Sequence, residues 1–237
     1  MSHLAATAML DLRLQARNKL FAIGFGVALS TGLVARALLA VTAVEVLLPG
    51  IWLGAIGTTT FMFVAGMVLF EKGERTLDAL IVTPLPVRTY LFSKVLTLSG
   101  FAMVESLLVL VFAHGLRGVA FAPLLLGIGF LGALYTLIAL AQVVSQTSVT
   151  DFLVPGAFVS LTLLQLPFLD AFGVWSHPLL YLVPTQATVV LMKGAFTELV
   201  LWQWVYGVGY SVLAIGVAAF VARRRFERHI VAKGAMS

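Results

Sequence analysis

The sequence contains no cysteine, and only 11% of its 237 residues carry a charge. The first absence excludes disulfide bonds and thiolate metal sites. The second is well below the roughly one quarter of charged residues that is usual in soluble domains, whereas hydrophobic residues reach 61%. A water-soluble core has no room for this much apolar surface, so lipid must solvate most of it. We therefore predict an all-α polytopic membrane protein.

The sequence also lacks the motifs of common catalytic and metal sites. It has no G-x-x-x-x-G-K-S/T phosphate-binding loop, no H-E-x-x-H and no nucleophile elbow. The histidines are scattered without the spacing of metal ligands: His3, His114, His177 and His229. We expect no catalytic residue, no metal and no cofactor in this chain.

Long apolar segments dominate the rest of the chain. A helix needs about 20 apolar residues to cross the hydrocarbon layer. Six such segments are predicted to span the membrane: residues 20–43, 51–70, 91–113, 124–144, 152–172 and 199–222. Pro49 and Gly50 predict a turn between the first two. The whole chain, residues 1–237, then forms a single transmembrane domain.

The basic residues orient these spans. If the N-terminus lies in the cytoplasm, all but three of the 15 lysines and arginines fall on the cytoplasmic side. The exceptions are Arg36, Arg117 and Lys193. This bias follows the positive-inside rule and predicts a multi-pass protein of the cytoplasmic membrane with both termini inside. The tail, residues 223–237, begins with three arginines that anionic lipid would attract.

Three polar segments interrupt the apolar pattern. Residues 1–19 mix leucines with charged residues and predict an N-terminal interfacial helix. Residues 71–86 lie between the second and third spans on the cytoplasmic side. Residues 173–198 lie before the sixth span and predict a partly helical external segment.

Residues 71–86 form an amphipathic pattern. Glu71, Glu74, Arg75 and Asp78 share one helical face, and Leu77 lies on the opposite, apolar face. Two prolines at positions 84 and 86 end the helix. From these residues alone, an ordinary interfacial loop helix is favoured over a docking element.

The segment resembles the coupling helix that follows the second span in ABC-2 type permeases, where a pattern close to Glu-x-Gly-x-x-x-x-Leu-x-x-x-x-Pro precedes the third span. The present sequence departs from that pattern in having Arg75 where glycine is often found. Residues 177–186 resemble the proline-containing external segment of the same superfamily. Residues 76–80 and 182–186 are most similar to the small fluoroquinolone-export permeases.

The resemblance implies the permease subunit of an ATP-driven exporter that moves an amphipathic small molecule. ATP and magnesium would bind a separate ABC ATPase, so the chain itself would not be an enzyme. A second permease, identical or a sibling chain, would complete the pore. The residues expected to contact the ATPase are Glu71, Glu74, Arg75, Leu77 and Asp78.

The resemblance also implies that spans two and five line the shared cavity. The candidate wall residues are Thr58, Thr59, Phe63, Met67, Phe158, Thr162 and Gln165. Small and hydroxylated residues are also common where helices merely pack together, and for any single one of these residues that packing role is favoured.

Glu105 lies inside the third span, where a carboxylate is costly and often functional. It could carry a proton or cation. Alternatively, it could pair with a polar neighbour on span four or six, or lie near enough to the interface to stay hydrated. Three alternatives to the leading interpretation stay open: a heme-exporter permease for cytochrome maturation, an autonomous proton-coupled carrier that uses Glu105, and a non-transporting membrane anchor or immunity protein.

Overall fold

The computed structural model describes residues 3–74 and 86–231, and all regular structure in these ranges is helical. The α-helices are α1 (His3–Arg17), α2 (Leu20–Leu38), α3 (Val44–Gly73), α4 (Val87–Ala113), α5 (Phe121–Val143), α6 (Val149–Ala157), α7 (Phe168–Ala171), α8 (Pro184–Lys193) and α9 (Leu201–Phe226). Shorter helical turns of other types join or extend them: Trp52–Ile56 within α3, Phe158–Leu163, Pro178–Leu182 and Glu227–Val231.

Five of the helices in the described residues are long and apolar enough to cross a membrane, namely α2, α3, α4, α5 and α9. Their mean hydropathy lies between 1.7 and 2.3. They correspond to five of the six predicted spans, and they confirm an all-helical chain with several membrane-spanning helices.

The turn predicted at Pro49 and Gly50 is wrong. Both residues lie inside α3, and the chain turns earlier, at residues 39–43. Proline lacks one backbone donor and cannot make the usual hydrogen bond one turn back. Shortly after Pro49, α3 widens into the π-helical turn Trp52–Ile56, a distortion with which helices accommodate such irregularities. Gly50 is buried against the ring of Phe172, where a side chain would collide.

The predicted fifth span, residues 152–172, is not one continuous helix. It consists of α6, the π-helical turn Phe158–Leu163, a further turn and the short α7. Pro155 lies within α6, and Pro167 precedes α7, so each proline coincides with a departure from regular helix.

This interrupted segment nevertheless runs along α3 in the opposite direction. The rings of Phe152 and Phe61 lie 5.1 Å apart between centroids. Further on, Gln165 donates to the Leu53 carbonyl at 3.2 Å, and Phe172 reaches Gly50 near the start of α3. The segment therefore follows most of the length of α3. Whether it counts as a sixth crossing stays a prediction.

The centre of the molecule is α5. Its most apolar window is 72% buried, compared with 28% for α2 and 17% for α9. Gly132 on α5 brings that helix against the backbone of α4, because a Cβ there would lie 3.0 Å from Ser99 Cα. On the other side of α4, the rings of Phe21 and Phe101 join α2 to it at 5.1 Å. The peripheral helices α2 and α9 leave most of their surface for lipid or a partner.

Two ends of this bundle can be defined by their contacts. At one end, α3, α5 and α9 finish and α4 begins; Lys72, Lys94 and Arg225 lie there, and we call it the basic end. At the opposite end, which we call the far end, α5 begins and α8 packs against it. Gly127 of α5 contacts Met192 of α8 there.

Candidate functional site

A buried group of charged and polar side chains lies at the basic end. Lys94 has a fully buried side chain, and its Nζ lies 2.6 Å from Asp11 Oδ1 and also pairs with Glu71. The Tyr90 hydroxyl donates to Glu71 at 2.7 Å, and the Ser93 hydroxyl donates to Asp11. We call these five residues the Lys94 cluster.

The Lys94 cluster joins three helices that are distant in sequence. Asp11 comes from α1, Glu71 from α3, and the remaining members from the first two turns of α4. A fourth helix closes over it, because the ring of Phe226 on α9 packs 5.0 Å from that of Tyr90. A charge buried to this extent requires an opposite charge and hydrogen bonds, which the cluster supplies.

Two further cations bind the C-terminal end of α5. Lys72 donates to the carbonyls of Val143, Val144 and Gln146 at 2.9, 2.8 and 2.6 Å. Arg225 donates to the carbonyl of Ala141 at 3.2 Å. The last carbonyls of a helix lack intrahelical partners and carry partial negative charge, so cations stabilise them. The ends of α3, α5 and α9 are thereby held together.

The loop after α5 lies beside these contacts. Gln146 accepts from Lys72, whereas Asp151 is exposed in the first turn of α6. Asp151 forms hydrogen bonds with the side chains of Ser148 and Thr147, and Thr147 donates to its carboxylate at 3.1 Å. These bonds hold the pKa of Asp151 below its usual range. The loop therefore adds a carboxylate to the surface of the basic end.

The residues predicted to contact an ATPase have different environments. Glu71 is buried, with its carboxylate directed at Lys94 and Tyr90. Glu74 is exposed, and its two carboxylate oxygens both accept from the single Nη2 nitrogen of Arg17 on α1, at 2.5 and 2.6 Å. Arg75, Leu77 and Asp78 lie outside the described residues. The structure thus places Glu71 inside the bundle and Glu74 on its surface. Both belong to the predicted coupling helix, residues 71–86, whose first three residues are in fact the end of α3.

The predicted cavity residues separate into two groups. Thr58, Thr162 and Gln165 come together: Gln165 donates to Thr58 Oγ1 at 3.2 Å, and a shallow cavity of about 440 Å³ is lined by Thr162 and Gln165. Phe158 precedes them on the same segment and is 62% exposed. Thr58, Thr162 and Gln165 therefore lie together between α3 and the interrupted span, and Phe158 is exposed four residues before Thr162.

The other predicted cavity residues lie inside the chain. Phe63 packs on Phe101 with ring centroids 5.8 Å apart, and Met67 is 1% exposed. Thr59 is partly buried, and its hydroxyl donates to the carbonyls of Ala55 and Ile56 at 3.0 and 3.1 Å. In the single chain, Phe63 and Met67 pack inside the bundle, and Thr59 bonds to the backbone of its own helix. None of these three residues lines the cavity of Thr162 and Gln165.

Glu105 is buried where α2, α3 and α4 meet. Its nearest hydrogen-bonding group is Thr59 Oγ1 at 3.5 Å, a distance at which a hydrogen bond contributes little. Its other oxygen, Oε1, faces Gly24 and has no hydrogen-bond partner among residues 3–74 and 86–231. No cation pairs with it in the same ranges, and its distant polar neighbour Thr59 lies on α3, the second span, not on the fourth or sixth span as predicted.

The far end contains an ion pair that the sequence did not suggest. Asp170 of α7 accepts from Lys193 at 3.1 Å and from Gln186 at 2.9 Å, both on α8, and Ser176 also donates to it. The pair fixes the end of the interrupted span to the external segment. The sequence contained one indication of this ion pair: Asp170 and Lys193 are each isolated among apolar neighbours at the same end.

The chain was compared with known proteins. The sequence profile of the fluoroquinolones export permease protein family matches residues 2–234. Fluoroquinolones export permease proteins from two strains of Mycobacterium tuberculosis are each 32% identical to the chain over 236 residues, covering 98% of the chain and 98% of the relative. No solved structure matches the chain significantly. The profile match and the sequence identity with these relatives both extend over almost the whole chain. The chain therefore belongs to the fluoroquinolones export permease family.

Proposed function

We propose that the chain is the membrane-spanning permease subunit of an ATP-driven exporter of the ABC class. ATP and magnesium would bind a separate ATPase subunit, since the sequence contains no phosphate-binding loop. The relatives are named as export permeases, which supports the direction of transport. The cytoplasmic membrane, with both termini inside, is the proposed location because of the distribution of basic residues.

The observation that carries the proposal is the Lys94 cluster. Residues 75–85 connect the end of α3 to the start of α4, and Glu71 and Lys94 tie these two helices together on either side of that connection. A displacement of the connecting segment would therefore act on α3 and α4 as a unit. The contact of Lys94 with Asp11 would transmit the displacement to α1, and the contact of Lys72 with the Val143 carbonyl would transmit it to α5. This is the linkage that a helix driven by a partner ATPase requires.

The proposed docking residues are Glu74, Arg75, Leu77 and Asp78. Glu74 is exposed and, among residues 3–74 and 86–231, pairs with Arg17 across the surface, a kind of pair that contributes about 0–1 kcal/mol. A basic groove on a partner can replace such a weak contact. Glu71 acts from inside, by holding Lys94.

The proposed substrate is an amphipathic small molecule, and a fluoroquinolone is the natural first test because the relatives carry that name. The side chains of Thr58, Phe158, Thr162 and Gln165 offer aromatic and polar contacts of the kind that bind such a molecule. We propose that a second permease subunit faces these side chains and closes the cavity.

The test is reconstitution of the permease with its cognate ATPase in lipid vesicles. Reversing the charge of both Glu74 and Asp78 to lysine should abolish stimulation of ATP hydrolysis by the permease and ATP-dependent accumulation of a fluoroquinolone. Glu198→Lys, an exposed reversal at the far end, is the control and should leave both unchanged. Normal assembly and coupling in the doubly reversed protein would show that the docking assignment is wrong.

Glu105 Oε1 has no hydrogen-bond partner among the described residues, and this observation favours a second candidate function, that of a proton-coupled carrier. The same vesicles separate the two functions. Transport that needs ATP and the second polypeptide supports the ABC permease. Transport by the permease alone under a pH gradient, lost in Glu105→Gln, supports the carrier.

A further inference from the structure

A long groove runs between α5 and α9 on the outside of the bundle. It encloses about 420 Å³ and is bordered mainly by aliphatic side chains, among them Leu134 and Val217. The groove exists because Ala141, Ala214 and Ala218 are too small to fill the space between the two helices. It lies apart from the cavity of Thr162 and Gln165 on the interrupted span.

The dimensions of the groove match one lipid leaflet. Its lining extends along α9 from Tyr210 to Arg225, which is about 22 Å at 1.5 Å per residue. Half of the hydrocarbon layer is about 15 Å thick. The groove is therefore long enough for one acyl chain together with the polar group to which that chain is attached.

The end of the groove nearest the basic end is polar and cationic. Arg225 is exposed there, and its contact with the Ala141 carbonyl uses one of five N–H donors. Beside it, the Oε1 atom of Gln142 is buried and lacks a hydrogen-bond partner within the described ranges. A buried amide oxygen without a partner is costly, so this position calls for a donor from outside the chain.

We propose that this groove binds an anionic phospholipid of the phosphatidylglycerol type from the surrounding bilayer. The phosphate accepts hydrogen bonds from the Arg225 guanidinium, and a headgroup hydroxyl donates to Gln142. One acyl chain lies along the alanines between α5 and α9. A zwitterionic lipid fills the apolar part equally well, but it brings its own cation to the arginine and loses the charge complementarity.

The position of the groove gives the lipid a mechanical role. Arg225 holds the last turn of α5 through Ala141, and Phe226, the next residue, packs on Tyr90 of the Lys94 cluster. A phosphate bound to Arg225 therefore stabilises α9 against α5 at the basic end. This inference concerns lipid binding alone and does not depend on export.

The test uses purified permease in nanodiscs of defined composition, with bound lipid counted by native mass spectrometry. The wild-type protein should retain phosphatidylglycerol over phosphatidylcholine, and Arg225→Gln should reduce that preference about tenfold, as expected for loss of a charge-assisted contact. The matched control is Arg224→Gln, because the guanidinium of Arg224 lies over the Phe220 ring, 4.3 Å from its centroid, and does not line the groove. This control should keep the preference.

A second pair of variants tests the apolar part of the site. Ala218→Phe fills the groove and should lower retention of both lipids, whereas Val212→Phe enlarges an exposed side chain of α9 that does not line the groove and should not. Equal retention of the two lipids by the wild type would overturn the proposal. Equal loss in Arg224→Gln and Arg225→Gln would also overturn it, since a nonspecific basic belt would then suffice. Efficient cross-linking between Ala218→Cys residues of two subunits would show that protein, not lipid, covers the groove.

Discussion

At the scale of single residues, Lys94 stands out in the described chain because its charge is completely buried. Its ammonium group is shared by Asp11 and Glu71, and no part of its side chain is exposed. Desolvation of such a group is offset only while both the geometry and the partners persist. The cluster therefore favours one arrangement of α1, α3 and α4 over any that separates them.

Replacing Lys94 with methionine should destabilise the fold by about 3–5 kcal/mol, the usual cost of removing one partner from a buried ion pair. The substitution keeps a long apolar side chain but removes the cation that the two carboxylates share. The measurement is thermal or denaturant unfolding of the purified protein in mild detergent. Arg17→Gln, which breaks the exposed pair with Glu74, should change stability by less than about 1 kcal/mol. Equal effects of the two substitutions would contradict the special role of Lys94.

At the scale of elements, hydropathy predicted the five long helices well, because apolar length directly determines whether a helix can cross a bilayer. The break in the fifth span could not be read from hydropathy, since residues 158–163 stay apolar while their helix widens. The helix through Pro49 could not be read from the sequence either, since the packing of the neighbouring Gly50 against Phe172 is a tertiary contact. Of the Lys94 cluster, the sequence singled out Glu71, but for contact with an ATPase. Lys94, which pairs with Glu71, and Asp11, which also pairs with Lys94, are distant from it in sequence, so only the fold shows these contacts.

The contact between α4 and α5 yields a prediction about close packing. Gly132→Ala should lower stability by about 1–3 kcal/mol, because its new Cβ would lie 3.0 Å from a backbone atom of α4 that cannot move alone. Gly100→Ala on α4 is the matched control: a Cβ there meets no atom within 4 Å, and alanine is the better helix former. The control should be neutral or stabilising in the same unfolding measurement. Loss of stability at both positions would point to a general intolerance of alanine in α4 and α5.

At the scale of the whole molecule, connectivity constrains the path of the chain. The end of α5 and the end of α9 both lie at the basic end, where Lys72 and Arg225 bind the same stretch of α5. The chain must therefore travel to the far end between residues 143 and 201 before α9 can return. The interrupted segment along α3 is the part of the described chain that makes this passage.

This path predicts which loops face the same side of the membrane. The absence of cysteine allows single cysteines to be labelled without background. Arg117→Cys and Val174→Cys should react with an impermeant maleimide added to intact cells, whereas Ser145→Cys should react only after permeabilisation. Labelling at position 117 but not at 174 would mean that the interrupted segment does not cross, and the count of six spans would fall.

The contact of Phe226 with Tyr90 has a consequence for biosynthesis. Translation delivers Asp11, Glu71 and Lys94 to the membrane long before the last turn of α9 leaves the ribosome. During that interval, the ring of Phe226 is not yet available to pack on Tyr90, whose hydroxyl donates to Glu71 in the complete fold. Only a chain translated through residue 226 completes the enclosure, so a truncated product keeps an aromatic ring exposed beside buried charges.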